Sequence, residues 1–142
     1  MDDWGGFGLV AVGAVGSDSN GRTNAGAVWL LSLATDGTAH ATVKADSNDV
    51  EAWEAGDHAG YGLAALDGID GDALSRQELV VGANRDDDGA TDRGAVYIIF
   101  LSEGSLPSFR AYAKISSSSS TMNMLGLAKH FGETAGTQSW GQ

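Results

Sequence analysis

"ELVVGANRDDDGATDRGAVYIIF", residues Glu78 to Phe100, runs from an apolar segment through Val-Gly-Ala into a loop of Asp, Asn and Gly. It leaves that loop through Gly-Ala-Val-Tyr into a second apolar segment. The same order occurs in "LVAVGAVGSDSNGRTNAGAVWLL", residues Leu9 to Leu31. Asp18 aligns with Asp86, Gly26 with Gly94 and Trp29 with Tyr97, each 68 residues apart. Further on, Lys44 aligns with Lys114, Gly56 with Gly126 and Gly62 with Gly132, each 70 apart. Loop insertions produce a drift of this kind, and a shared order of several features marks an internal repeat.

Each unit resolves into short runs rich in Val, Ile and aromatic residues, bounded by turn residues, which is the pattern of β-strands. Strands are predicted at Leu9–Ala14, Ala27–Leu33, Ala39–Ala45, Gly62–Leu66, Glu78–Ala83, Ala95–Leu101 and Ser108–Ile115. Helical periodicity is absent except at Thr121–His130, where Gly126 weakens it. The Gly of Val-Gly-Ala suits a place where two backbones approach closely. The loops "GSDSNGRTNAG" and "NRDDDGATDRG" carry Asp18, Asn20 and Asn24 in one unit and Asp86, Asp87, Asp88 and Asp92 in the other. Asp and Asn cap turns with their own side chains, and Gly21 and Gly89 supply positive φ, so a turn-forming role comes before ligand binding.

Composition narrows the function classes. The chain has 142 residues, 42% of them apolar, which suits one domain with a buried core. It has no Cys, which excludes disulfides, thiolate catalysis and Cys-based zinc sites. With 19 acidic against 8 basic residues the formal charge is −11, so no nucleic-acid partner is expected, and divalent cations or basic partners suit it better. Asp supplies 14 of the acids and Glu 5, as expected of turns rather than helices. Met1-Asp2-Asp3-Trp4 is acidic where a signal peptide would be basic, and no apolar run approaches a membrane helix, so membrane insertion is not expected.

Four strands per unit is the count of a propeller blade. The order in "GYGLAALDGIDGDALSRQELVVGANRDDDGATDRGAVYIIF" resembles the FG-GAP repeats of integrin-α-type β-propellers, strongly from Gly60 to Ile115 and in part over the rest. The fold expected is therefore all-β, of four-stranded antiparallel blades, in a single repeat domain over 1–142. Residues 1–46 read as strands two to four of a split blade, 47–59 and 116–130 as connectors, 60–115 as a complete blade, and 131–142 as strand one of the split blade. "HFGETAGTQSWGQ" lines up with "GYGLAALDG", and "MDDWGGFGLVAVGA" with "DGDALSRQELVVGA", so each end supplies what the other lacks. Two blades do not close a propeller. Three outcomes are open: a fragment of a longer array, a small sandwich, or a homo-oligomer. In the last, Phe131–Ser139 of one copy pairs head-to-tail with Leu9–Ala14 of the next, giving an even number of blades or a filament.

The resemblance also implies a calcium loop between the first two strands of a blade. Here it falls on "LDGIDGDALSRQELVVG": Asp70 and Asp72 match the middle carboxylates, with Asp67 one residue early and Glu78 at the closing position after two extra residues. Calcium needs several oxygens, and Asp67, Asp70, Asp72 and Glu78 are the candidate ligands; the alternative is a hydrated acidic turn that has lost its metal. In the other unit only Asp2 and Asp3 remain.

Catalytic signatures are thin. His40, His58 and His130 form no metal pair, there is no Gly-x-Ser-x-Gly elbow, and Asp57-His58 reads as a surface turn. Of the tryptophans, Trp29 and Trp140 are expected in core or blade packing, and Trp53, in a connector, as an exposed contact. The Ser116–Ser120 run reads as a turn-rich connector open to O-linked sugar. The function expected is a non-enzymatic module for protein or glycan binding, adhesion or self-assembly, extracellular or at the cell surface as the resemblance implies. The alternative is an accessory repeat segment of a larger secreted enzyme or surface protein.

Overall fold

In a computed structural model of the chain, residues 8–67, 77–102 and 108–118 are described. Seven strands appear there: β1 (Gly8–Gly13), β2 (Val28–Leu33), β3 (Ala39–Ala45), β4 (Ala59–Asp67), β5 (Gln77–Ala83), β6 (Ala95–Leu101) and β7 (Phe109–Ser116). All seven predicted segments are strands, and among the described residues there is no helix. The fourth begins three residues earlier than the pattern indicates, because Ala59 already pairs with Ala83 through an irregularity before Gly62. The segments Thr121–His130 and Phe131–Ser139 lie outside the described residues.

The strands form two antiparallel sheets, a three-stranded one ordered β1-β2-β3 and a four-stranded one ordered β4-β5-β6-β7. Their registers correspond. Val12 faces Trp29, which faces Lys44; Val81 faces Tyr97, which faces Lys114. Gly13 faces Val28 and Gly82 faces Val96. The loops correspond too. Ser17 N–H donates to Ala14 O and Gly26 N–H to Ser17 O; Asp86 N–H donates to Ala83 O and Gly94 N–H to Asp86 O. These bonds correct the alignment of the loops. Asp86 takes the place of Ser17, and Asp18 that of Asp87, since Asp18 accepts from the Asn24 amide at 2.8 Å and Asp87 from the Asp92 amide at 2.7 Å. The first loop is one residue longer beyond that carboxylate.

Residues paired side by side across a ladder share a face, so each sheet presents two sides. Leu9, Val28, Leu30 and Ala45 of the first sheet gather in one buried cluster with Leu79, Val81, Tyr97, Ile99 and Leu101 of the second. The faces used are not the same ones. Val28 and Leu30 in the first sheet correspond to Val96 and Ile98 on the far side of the second. Val81, Tyr97 and Ile99 correspond to Val12, Trp29 and Leu31 on the far side of the first. The sheets stack face to back, each turned the same way.

Two features hold this stacking. Near β4 the backbones close up: a Cβ added to Gly13 would lie 2.0 Å from the Gly60 carbonyl oxygen, and one on Gly26 2.2 Å from that of Ala59. Glycine is required at both places for lack of room, and Gly26 also holds φ 94. The connector from Asp46 to His58 then lays Val50 and Trp53 into the cluster, both fully buried. The Trp53 ring meets Tyr97 edge-on at 6.0 Å, and Arg22 Nη1 holds the connector through the Glu51 and Trp53 carbonyls at 2.7 and 2.8 Å. This corrects the expectation for tryptophan: Trp53 is core, and Trp29 is the more exposed ring at 38%. A connector can be buried when a second sheet closes over it.

Candidate functional site

Three places in the fold bear on function. The first is the β4–β5 turn. Leu66 pairs with Glu78 and Asp67 with Gln77, so the ladder brings the two ends of the predicted calcium loop together. Glu78 is fully buried and lies between Leu66 and Phe100 on the ladder. Asp70 and Asp72 lie outside the described residues. Among the described residues no three Asp, Glu or His side chains converge to hold a cation. Adjacent positions on a strand alternate faces, so Glu78 stands on the face of Leu66 and not on that of the Asp67–Gln77 pair, and the turn between them lies outside the described residues.

The second place is the acidic loop after β5. Asp86 is buried because it starts the loop against the inner face of its sheet. Its carboxylate lies 2.7 Å from the Tyr97 hydroxyl, which donates to it and lies 3.1 Å from the Ala52 carbonyl. Lys114, beside Tyr97 on β7, places its ammonium 2.8 Å from both Asp86 and Asp88, and 5.5 Å from the Tyr97 ring centre. Asp88 also accepts from Ser116 at 2.9 Å. Burial alone would depress the Lys114 ammonium, but the hydrogen bonds and charges of Asp86 and Asp88 leave it raised. Lys114 holds the Asp88 carboxyl below its ordinary value, against burial and with help from Ser116. Burial, then the bond and charge of Asp86, push the Tyr97 phenol well up. Beside them Asp57 is buried and accepts from the Glu54 amide at 2.8 Å; burial pushes its carboxyl up to about 6, with Asp86 adding to the effect.

These charges are tied to one another and to the chain, an arrangement that fixes loop geometry and holds Lys114 as a cation. The turn-forming role assigned to the acidic loops is what the bonds from Asp18 and Asp87 perform. Asn20, Asn24 and Asp92 hold φ of 52, 53 and 51, the left-handed backbone that Asn and Asp tolerate best. Sequence reasoning missed the ion cluster, in which Asp86 and Lys114 lie 28 residues apart in the chain; the recurrence of Lys44 at Lys114 was the available signal. It also left the serine run as a bare connector. Ser116 and Ser117 are buried, and Ser117 donates to the Asp88 carbonyl as Ser47 does to that of Ser19.

The third place is the far face of the first sheet. Val10, Val12 and Trp29 are 41%, 45% and 38% exposed, where the corresponding Val81 and Tyr97 of the second sheet are fully buried. Lys44 lies over the Trp29 ring at 5.8 Å and pairs with Asp46 at 3.2 Å. Val10, Val12 and Trp29 are thus three neighbouring large apolar side chains exposed on one pleated face. No helix among the described residues is long and apolar enough to cross a membrane. No protein-family model matches this chain, and neither a curated protein nor a solved structure matches it.

Proposed function

We propose that the chain is a non-enzymatic, FG-GAP-like module built of β-propeller blades that binds a protein or glycan partner and assembles with its own copies outside the cell or at its surface. The observation that carries this reading is the shared register: Val12–Trp29–Lys44 and Val81–Tyr97–Lys114 hold the same places in two sheets that stack in the same sense. Face-to-back stacking of like sheets is how blades succeed one another in a propeller. Among the described residues the first sheet has three strands where the second has four. The missing strand is the one that Phe131–Ser139 supplies, from a neighbouring copy, against Leu9–Ala14; the result is a closed ring with an even number of blades, or a filament. Asp67, Asp70, Asp72 and Glu78 are the residues that would hold calcium, which would cross-link the turn of the complete blade.

Solution mass tests the reading. The full chain is expected to sediment as more than one copy, and deletion of Phe131–Gln142 is expected to reduce it to a monomer. A full-length monomer at high concentration, or a truncated chain of unchanged mass, overturns it. Calcium at 100 times its dissociation constant raises the stability by about 2.7 kcal/mol, read as a higher melting temperature that a chelator reverses. An unchanged melting temperature at millimolar calcium removes the metal from the reading and leaves the module in place.

A further inference from the structure

We infer that the far faces of the two sheets are halves of one interface, and that a second copy of this chain docks the far face of its four-stranded sheet onto Val10, Val12, Trp29 and Leu31. The inference rests on the assembly proposed above and says which surfaces carry it. The template lies inside the chain. Leu79, Val81, Tyr97 and Ile99 of the second sheet are buried against a cluster that includes Leu9, Val28 and Leu30 of the first. By register, Val10, Val12, Trp29 and Leu31 are the first sheet's versions of Leu79, Val81, Tyr97 and Ile99. Val80, Val96 and Ile98 are the second sheet's versions of Ala11, Val28 and Leu30. The two outward faces are therefore related to each other as the two inner ones are.

The chemistry agrees with the register. The far face of the second sheet carries the half-buried Val80, Val96 and Ile98 and, at its β4–β5 turn end, the buried Glu78. The opposing face is apolar, with Lys44 drawn over the Trp29 ring and held by Asp46. The acidic loops leave from strand ends, and the carboxylate on the second face, Glu78, is already buried and adds no exposed charge to the contact. The contact is heterologous, so each copy offers one surface of each kind and the assembly extends or closes head to tail. A pairing of two first-sheet faces would instead stop at a dimer.

The test uses the full chain, with Trp29→Lys on one face and Ile98→Lys on the other, followed by sedimentation velocity and far-ultraviolet circular dichroism. Each change reduces the net negative charge, so general repulsion cannot cause dissociation. Each variant is expected to keep the β spectrum and to associate at least about 30-fold more weakly, as for the loss of a central contact. Mixed one to one, the variants form a two-chain species that does not grow, since each retains the face the other has lost. Val12→Lys and Val96→Lys repeat the test if either first variant fails to fold. Wild-type association that survives both changes overturns this inference while leaving strand exchange standing. Dissociation by Trp29→Lys alone overturns it in favour of an isologous dimer. A monomeric wild-type chain overturns both the inference and the assembly on which it rests, and assigns the Trp29 face to a cover within the chain.

Discussion

The two sheets put the same trio to opposite uses. In the first, Val12, Trp29 and Lys44 stand at the surface, and Lys44 pairs with Asp46, two residues on in the chain. In the second, Val81 and Tyr97 are buried in one cluster with Val50 and Trp53 of the connector, and Lys114, 22% exposed, pairs with carboxylates brought from the loop before β6. The exchange is local. Ser17 in the first unit becomes Asp86 in the second and Ser19 becomes Asp88, while Asp46 becomes Ser116. The two ammoniums are similarly exposed, at 28% and 22%, and the difference lies in the carboxylates: Asp86, at 2%, is a buried charge and takes both Lys114 and the Tyr97 hydroxyl as partners.

The comparison breaks first at tryptophan. Trp53 is fully buried between the sheets and Trp29 is 38% exposed. Trp53→Ala is expected to cost about 3–5 kcal/mol in urea unfolding, the usual loss for emptying a large aromatic site in a core. Trp29→Ala in the unassociated chain should cost about 1 kcal/mol or less. Equal losses would mean that Trp29 is covered in the folded monomer and that the two faces are not in different environments.

The lysines come next. Lys114→Met leaves Asp86 buried with its Tyr97 bond but no cation, which places the loss near 3 kcal/mol. Lys44→Met removes one partly exposed pair and a ring contact, for about 0.5 kcal/mol. Adding Asp86→Asn to Lys114→Met should recover part of the loss, because the neutral amide no longer needs the ammonium. Failure to recover any of it would show that Lys114 acts through packing of its stem rather than its charge.

Much of the fold was legible for a reason that sets its limits. Strands such as Ala95–Leu101 declare themselves as unbroken runs of apolar, β-branched and aromatic residues, and the loops because Gly21, Asn24, Gly89 and Asp92 supply backbone that few residues adopt. Those signals are local. The burial of Trp53 is not: it follows from two sheets closing over a connector that looks, on its own, like any polar turn. The Asp86–Lys114 cluster is hidden for the same cause, since a loop and a strand far apart in the chain make it. The one-residue error in the loop alignment arose because three consecutive Asp residues offer no landmark, and only the Ala83 and Asp86 backbone bonds distinguish them.

The glycines sharpen the comparison at the next level down. Gly13 and Gly82 follow the same Val in corresponding strands, but only Gly13 is crowded. A Cβ on Gly13 would lie 2.0 Å from the Gly60 carbonyl, whereas one on Gly82 would lie 3.5 Å from the Gly62 amide, an ordinary contact. Gly13→Ala must push β1 from β4, and a loss of about 1–3 kcal/mol is expected, as for overpacking. Gly82→Ala should be neutral or slightly stabilising through its smaller backbone entropy. A large loss at Gly82 as well would reveal a close neighbour on that side of the second sheet and make the two units more alike.

The smallest effect separates the units by pH. Asp57 belongs to the second unit's cluster, and burial pushes its carboxyl up to about 6 from an ordinary 3.8. A carboxyl raised on folding binds its proton more readily in the native state, so between these values lowering the pH favours the native state, and raising it through 6 removes that contribution. From pH 7.5 to pH 5 the gain is about 1 kcal/mol, a rise of a few degrees in melting temperature. The carboxyls held low work in another window. Asp88, through Lys114, and Asp46, through Asn48 and Lys44 against its burial, lend stability that is lost only as the pH falls below 3.8. A chain of charge −11 also relaxes as its general repulsion is titrated, so the comparison must be made against Asp57→Asn, which retains an oxygen to accept from the Glu54 amide. The difference between wild type and this variant is expected to shrink from pH 7.5 to pH 5, with the variant the more stable at the higher pH. A difference that stays constant across that range would place the Asp57 titration below pH 5, and would mean that water reaches the carboxyl beneath the connector.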